Sequence, residues 1–397
     1  MKTTRWPGMA ALVLTGALVL ASCGQGAGTA RPSAVPPQSP GAATHSGHGM
    51  EAAPPPPAAP LRAGERFVNL KLPKPYTPAA PPKATDEYRC FLLDPKLSAP
   101  AFLTGNQFLA QNTDLVHHAI VYAVDRDAAE KARTLDASTS GEGWTCFGDA
   151  GIEDGKWIGH WAPGANETLL TQKVGHPVAA GSRLILQVHY NLLATEGKAA
   201  GSDQSGIRLR FADGASKLTP LETSLLSAPI ELPCTKEESG PLCDREAAID
   251  DLANRFGGQA REFPDQLGQM CNDGKPPPPG DTQHCETSLP AGGTVYALAG
   301  HMHLLGRSIK VELNPGGPGG ETLLDIPRYN FDDQAIRPLD RPVVVKKGDR
   351  LRVTCTHDAG LRKALPALST LPPRYVVWGE GTSDEMCLGL VVWSPGV

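Results

Sequence analysis

An all-β protein is the expectation for this chain, on three observations. Glycine at 43 and proline at 38 of 397 residues both exceed ordinary usage and favour short strands joined by turns. Apolar residues at helical spacing are almost absent, whereas strand-like runs recur along the chain. Third, histidines fall inside or at the ends of such runs. Residues 293–298 read as a strand and lead into Ala299-Gly300-His301-Met302-His303-Leu304-Leu305-Gly306, with another strand over 307–313. Histidines two apart on a strand project from one face, because side chains alternate. Neutral imidazole is also the commonest side chain for gripping a transition metal.

The length allows two to three domains, each with its own core. The net charge of −5 contains no block of one sign, so nothing points to nucleic acid or an anionic membrane surface as a partner. The chain opens as a targeting segment: Lys2 and Arg5, an apolar run over 9–20, then the small residues Ala21 and Ser22. Residues 1–22 are therefore expected to be a signal peptide. Cys23 follows in Leu20-Ala21-Ser22-Cys23-Gly24, which resembles a bacterial lipobox. The expectation is an exported chain, lipid-anchored through Cys23 on the periplasmic or cell-surface side of a bacterial membrane, with no spanning helix. An ordinary secretory signal is the alternative.

Eight cysteines remain: Cys90, Cys146, Cys234, Cys243, Cys271, Cys285, Cys355 and Cys387. An even count in an exported chain suggests disulfides, and four bridges leave 105 connectivities open. Residues 23–85 read as a disordered tether rich in Pro, Ala and Gly, in which His45, His48 and Met50 form a chance cluster. Ordered structure is expected from Asp86. The strand over 112–124 carries His117 and His118; neighbours on a strand face opposite ways, so a joint role requires a bulge or a strand end. Strands follow at 183–191, with Gln187 and His189, and at 205–211. A composition shift near 215–235 divides an N-terminal domain, 86–225, from a C-terminal one, 226–397. One helical pattern stands out, Glu246 to Phe256, and Pro276 to Pro279 form a loop. After the His301/His303 strand come a Gly/Pro-rich connection at 314–320 and strands at 343–345, 350–356, 374–378 and 388–393. His160, His176, His284 and His357 read as surface or loop histidines.

Four motifs in order give the chain its resemblance: His117-His118, Gln187-Val188-His189-Tyr190, His301-Met302-His303 with Leu305-Gly306, and Asp384-Glu385-Met386-Cys387. Trp161-Ala162-Pro163-Gly164, Ser205-Gly206-Ile207 and Tyr329-Asn330-Phe331 add to it. The pattern resembles the copper type II, ascorbate-dependent monooxygenases, over about Cys90 to Trp393. The resemblance implies two copper ions, one held by His117, His118 and His189, the other by His301, His303 and Met386, the latter being the catalytic set. Three imidazoles suit both copper oxidation states, and a thioether favours the reduced one. It also implies two antiparallel β-sandwich domains of jelly-roll kind, with the sites facing across a solvent-filled cleft. The implied reaction inserts an oxygen atom from O2 into a C–H bond of a small organic substrate, with ascorbate or an equivalent one-electron reductant. The donor's identity is open. Gln187 would lie on the electron route between the coppers or orient His189. Cys90–Cys146 and Cys355–Cys387 look like family bridges, with 234–285 and 243–271 nested between them. Where peptide-amidating relatives hold a substrate carboxylate, this chain has Ala299, Leu388 and Leu390, which implies an apolar or uncharged substrate. A copper-binding or electron-transfer lipoprotein without hydroxylase activity is the alternative, and a disulfide-stapled structural protein a third.

Overall fold

Why a strand should be buried at all nine of its positions is answered by the layers around it. In the computed structural model, which describes residues 57–171, 173–198 and 201–396, Val116–Val124 lies inside a five-stranded sheet. Its neighbours are Arg183–Asn191 and Lys156–Trp161, with Asp86–Leu93 and Trp144–Thr145 beyond. Ala119, Val121 and Ala123 face a second sheet across the main core of this half, while Ile120, Tyr122 and Val124 face the helix Arg126–Ser138. With both faces covered, period-two alternation gives way to continuous apolarity. The covering helix buries Ala128, Ala129 and Ala132, residues too small to draw a helical stripe in the sequence. Asp125 caps it, accepting from the Ala128 N–H at 2.9 Å.

The second sheet runs Glu65–Lys71, Gly206–Asp213, Ala101–Leu109, Val174–Val178, Thr219–Pro220, with Glu167–Leu169 also on Ala101–Leu109. The expected tether is thus shorter at its C-terminal end. Residues 65–71 pair antiparallel with 206–212, and Leu72 is buried. This segment is held because Arg210, itself buried, takes the Glu65 and Glu167 carboxylates and the carbonyls of Ala59 and Pro60. The signal peptide, Cys23 and the His45/His48/Met50 group lie outside the described residues.

Two four-stranded antiparallel sheets make most of the C-terminal half, with a small two-stranded one of Glu231–Leu232 and Val376–Val377, all that forms of the strand expected at 374–378. Of the larger two, one runs Glu222–Ser227, Leu388–Pro395, Gly293–His301, Arg337–Val345; the other runs Thr282–Ser288, Arg350–His357, Gly306–Leu313, Glu321–Ile326. Leu226, Val295, Leu298, Ile309, Val311, Val353 and Val391 fill the space between them. Glu222–Ser227 crosses the expected boundary at 225/226 and pairs with Leu388–Pro395, so it belongs with the C-terminal sheets. The helix expected at 246–256 forms as Arg245–Phe256. A second, Gly258–Cys271, follows despite Pro264 inside it, a residue that argues against helix in sequence. Both helices belong to the insertion before Thr282–Ser288. No helix among the described residues is long and apolar enough to cross a membrane.

Among the described residues four disulfides form. Cys90–Cys146 and Cys355–Cys387 are as the resemblance implied. The nested pairing is overturned: the bridges are Cys234–Cys243 and Cys271–Cys285. The turn at Pro241–Cys243 brings Cys243 back to Cys234, and Cys271, at the end of its helix, meets the strand carrying Cys285.

Candidate functional site

Adjacent histidines reach one place because the strand carrying them is irregular where it begins. In the ladder with Arg183–Asn191, Val116 pairs with Tyr190 and His118 pairs with His189, so His117 is the extra residue of a bulge at the strand start. The two conditions a histidine doublet requires are met together. His117, His118 and His189 are all buried, and one ring nitrogen from each lies within 4.8 Å of the others. Ring centroids are 5.4 Å apart for His117 and His118, 5.3 Å for His117 and His189, and 4.6 Å for His118 and His189.

His301 ends its strand and His303 lies just beyond, with their rings 5.2 Å apart, while Met302 between them is wholly buried in the opposite core. The turn is tight. A Cβ on Gly306 would meet Met302 Cβ at 2.9 Å, and the Tyr329 hydroxyl both accepts from Met302 N at 2.9 Å and donates to Met302 O at 2.7 Å. Leu388 pairs with His301, which brings the segment 384–387 alongside the histidines. Each acidic residue of Asp384-Glu385-Met386-Cys387 braces it. The Glu385 carboxylate, fully buried, accepts from His303 N at 2.9 Å and Leu305 N at 2.5 Å. Asp384 takes both terminal nitrogens of Arg255, at 2.7 and 2.8 Å. Met386 is buried, and its carbonyl lies 3.4 Å from His357 Nε2.

Hydrogen-bond partners fix several ring tautomers. The acceptors at His189 Nε2, His301 Nδ1 and His303 Nδ1 are respectively the Asp86 carboxylate (2.9 Å), the Gln334 side-chain oxygen and the Asp384 carbonyl (3.2 Å). Such oxygens only accept, so each of those nitrogens carries its proton. The Gln334 amide is oriented by its own nitrogen, which donates to the Phe331 carbonyl at 2.7 Å. Lone pairs are thereby left on His189 Nδ1, His301 Nε2 and His303 Nε2. Buried His118 Nε2, His189 Nδ1 and His303 Nε2 have no hydrogen-bond partner among the described residues. Burial, with nearby imidazoles adding to it, holds His118 and His301 well below the usual imidazole range. Burial also lowers His189, against the pull of Asp86. Burial pushes Asp86 up, but hydrogen bonds from His189, Thr382 and Thr85 outweigh it and hold the carboxyl below its usual range. His118, His189 and His301 are thereby kept in the uncharged form that metal ligation requires. A buried, hydrogen-bond-deprived set of neutral imidazole nitrogens fits a transition metal.

The expected solvent-filled cleft between the two groups is not found. His118 and His301 lie 5.5 Å apart, both buried, and Phe331 stacks on His117 at 4.1 Å. The segment 329–334 closes the gap: Tyr329 grips Met302, Phe331 covers His117 and Gln334 bonds His301. It lies against the Trp161-Ala162-Pro163-Gly164 turn, where Gly164 has φ +81° and a Cβ would come within 2.6 Å of Asp332 O. Three of the histidines read as surface groups are also misplaced by that reading. His160, His176 and His357 are buried, and only His284 is exposed. His160 lies beside His118, with the rings 6.4 Å apart.

Gln187 is buried, and its amide nitrogen donates to Asp149 O at 2.7 Å and lies 3.5 Å from Cys146 O. The group bonded to the His189 ring is instead Asp86. Asp86 and Gln334 are the residues sequence reasoning missed. Asp86 lay in view as the first residue of a strand whose Tyr88 pairs with His189. Gln334 sits in a polar loop with no signal at all.

Residues 281–397 match the family model described as the C-terminal domain of copper type II ascorbate-dependent monooxygenases. Dopamine beta-hydroxylases of Equus caballus and Homo sapiens are each 28% identical over 247 residues, covering 59% of this chain and 32% of theirs. The chain spans about a third of the length of the curated relatives it matches. Among solved structures, allantoicase covers 84% of this chain and 90% of its own at 11% identity and a TM-score of 0.19, too low to bear on the fold.

Proposed function

From a chain that belongs, by its C-terminal domain, to the copper type II ascorbate-dependent monooxygenase family, we propose a copper-dependent monooxygenase that hydroxylates a C–H bond of a small organic substrate. O2 is the oxidant, with an external one-electron reductant, ascorbate or an equivalent. One observation carries the reading. Histidines scattered from position 117 to 303 gather as two buried groups that abut at His118 and His301. His117, His118 and His189 would hold one copper; His301, His303 and Met386 would hold the other.

Copper, when bound, supplies one-electron chemistry toward O2 that no side chain provides readily. The chain's own residues do the rest. Asp86, Gln334 and the Asp384 carbonyl hold protons on the outer ring nitrogens, presenting the inner ones as donors. Glu385 fixes the approach of His303, and the Cys355–Cys387 bridge anchors the segment bearing Met386. Phe331 and the buried surroundings exclude water, which strengthens electrostatic interactions at the site and limits side reactions. Ala299 and Leu390 pair across their strands in the core, and Leu388 stands opposite His301. With no cation at those positions, an uncharged or apolar substrate is the proposal.

The close packing of the two groups favours one second reading, a copper-binding electron-transfer protein without hydroxylase activity. An exported, lipid-anchored protein tethered at Cys23 on a bacterial membrane is the proposed setting for either. Copper content and oxygen uptake separate them. Two coppers per chain and uptake that depends on both reductant and an apolar substrate are expected of the monooxygenase. Copper binding with no substrate-dependent uptake across a broad panel would leave the electron-transfer reading. A purified chain that retains no copper would remove both.

A further inference from the structure

We propose that Asp86 and Thr382 are positioning residues that couple the three-histidine site to the loop bearing Met386, so that each site's ligand geometry depends on the other. The inference rests on the copper reading above and concerns how its two sites communicate.

Asp86 is fully buried and its carboxylate accepts four hydrogen bonds. His189 Nε2 at 2.9 Å and Thr85 Oγ1 at 2.9 Å come from the N-terminal half. Thr382 supplies the other two, from its hydroxyl at 2.5 Å and its backbone N–H at 3.1 Å. One carboxylate is thus shared between a ring of the N-terminal site and a buried residue four positions before Met386. A second, separate contact repeats the arrangement. The Tyr88 ring stacks on His189 at 4.2 Å and 6°, and its hydroxyl donates to the Glu380 carbonyl at 2.9 Å. His189 is therefore held at its edge and on its face by two groups that both bond the 380–382 segment.

The path continues without a gap. From Thr382 the backbone runs to Asp384, whose carbonyl accepts from His303 Nδ1 at 3.2 Å and whose carboxylate is clamped by Arg255. His189, Asp86, Thr382, Asp384 and His303 form one series of covalent and hydrogen bonds linking a ring of each site. Charge-assisted bonds in a dry interior are strong and cooperative, so the segment cannot shift relative to His189 without leaving a buried carboxylate short of donors. Coupling of this kind is reciprocal: whatever the state of one site does to the other is returned. A mere latch between the halves would hold the sheets together but leave the metal's ligand field alone.

The test uses the full chain in a His301→Ala background, which leaves the series intact, so that the three-histidine site alone gives the Cu(II) signal. Thr382→Val, which removes the hydroxyl while keeping the shape, is expected to weaken copper binding about 10- to 100-fold, as loss of an outer hydrogen-bonding partner does. It is also expected to shift the hyperfine splitting of the Cu(II) resonance, and Thr382→Ser to restore both. Should Thr382→Val fail to fold, Tyr88→Phe, which removes only the second contact, is expected to shift the resonance in a milder way. A folded Thr382→Val chain with unchanged affinity and spectrum would overturn the coupling while leaving the copper sites standing. If the parent protein binds no copper, the site reading itself falls and the coupling with it.

Discussion

The two histidine groups are built by different means. The N-terminal one is a product of sheet register: a bulge at the start of Val116–Val124 sets His117 and His118 beside His189 on the paired strand. Backbone register sets the three positions, and Asp86 and Tyr88 then hold the His189 ring at its edge and on its face. In the C-terminal group the ladder holds His301 opposite Leu388 but ends there, and His303 stands on the loop beyond. It is braced instead by buried side chains, Glu385 to two backbone N–H groups, Asp384 to Arg255, Tyr329 to Met302, and by the Cys355–Cys387 bridge. Register is robust to single substitutions, whereas a braced loop depends on each brace. The C-terminal site should therefore be the more fragile of the two.

Removing a single ligand from each group breaks the comparison most sharply. His118→Ala and His303→Ala should each lower copper content from two ions per chain to one. Metal analysis checks this. Loss of both ions in either variant would mean the groups are not separate sites.

Next in size is the brace. Glu385→Ala strands two buried N–H groups, each costing about 1–3 kcal/mol, and should lower the unfolding free energy by several kcal/mol. Copper should leave the methionine site first. Thr168→Ala, in the N-terminal sheets, serves as the control and should change stability by well under that amount. Chemical denaturation with site-resolved copper spectra reads both.

How much of this was legible in the sequence follows from the same contrast. Strands such as 183–191 and 293–301 announce themselves by composition, because β-branched and apolar side chains fill a sheet interior. The H-x-H pair was legible as a local spacing, although only His301 lies on the strand and His303 stands just past its end. The doublet at 117 and 118 could be read only conditionally, since a bulge is decided by the partner strand. The braces were illegible. Asp86 reaches Thr382, and Glu385 reaches His303, across separations that nothing local encodes. Disulfide pairing among Cys234, Cys243, Cys271 and Cys285 failed for a related reason: a tight turn and a proline-containing helix, not nesting, decide which sulfurs meet.

Acid should separate the two halves of the metal-free protein. Burial lowers His160 and His176 to about 4 and depresses His118 and His189, all in the N-terminal half; His301 is depressed in the C-terminal half. A histidine whose folded pKa lies below its unfolded value of about 6.5 leaves the unfolded chain binding more protons between the two. Stability therefore rises with pH across that window and is lost as pH falls from 6.5 towards 4. A shift of that size is worth roughly 3 kcal/mol per histidine at pH 4. Hydrogen exchange at pH 6.5 and 4.5 should show protection falling first in strands 116–124 and 156–161. Earlier loss in 293–301 would reverse the assignment.

The smallest expected effect asks whether a brace can tune a ligand without holding up the fold. Gln334 accepts from His301 Nδ1, and its amide is pinned by the Phe331 carbonyl. In Gln334→Leu the ring keeps its neighbours but loses the acceptor that selects its tautomer. Copper at the methionine site should bind about tenfold more weakly, because Gln334 bonds the His301 ring directly. Gln334→Glu keeps an acceptor at the same reach and should recover most of the affinity. Copper titration of the variants in a His118→Ala background reads the methionine site by itself. Equal weakening by both substitutions would mean that bulk or charge in the 329–334 segment, rather than the hydrogen bond, sets the ring.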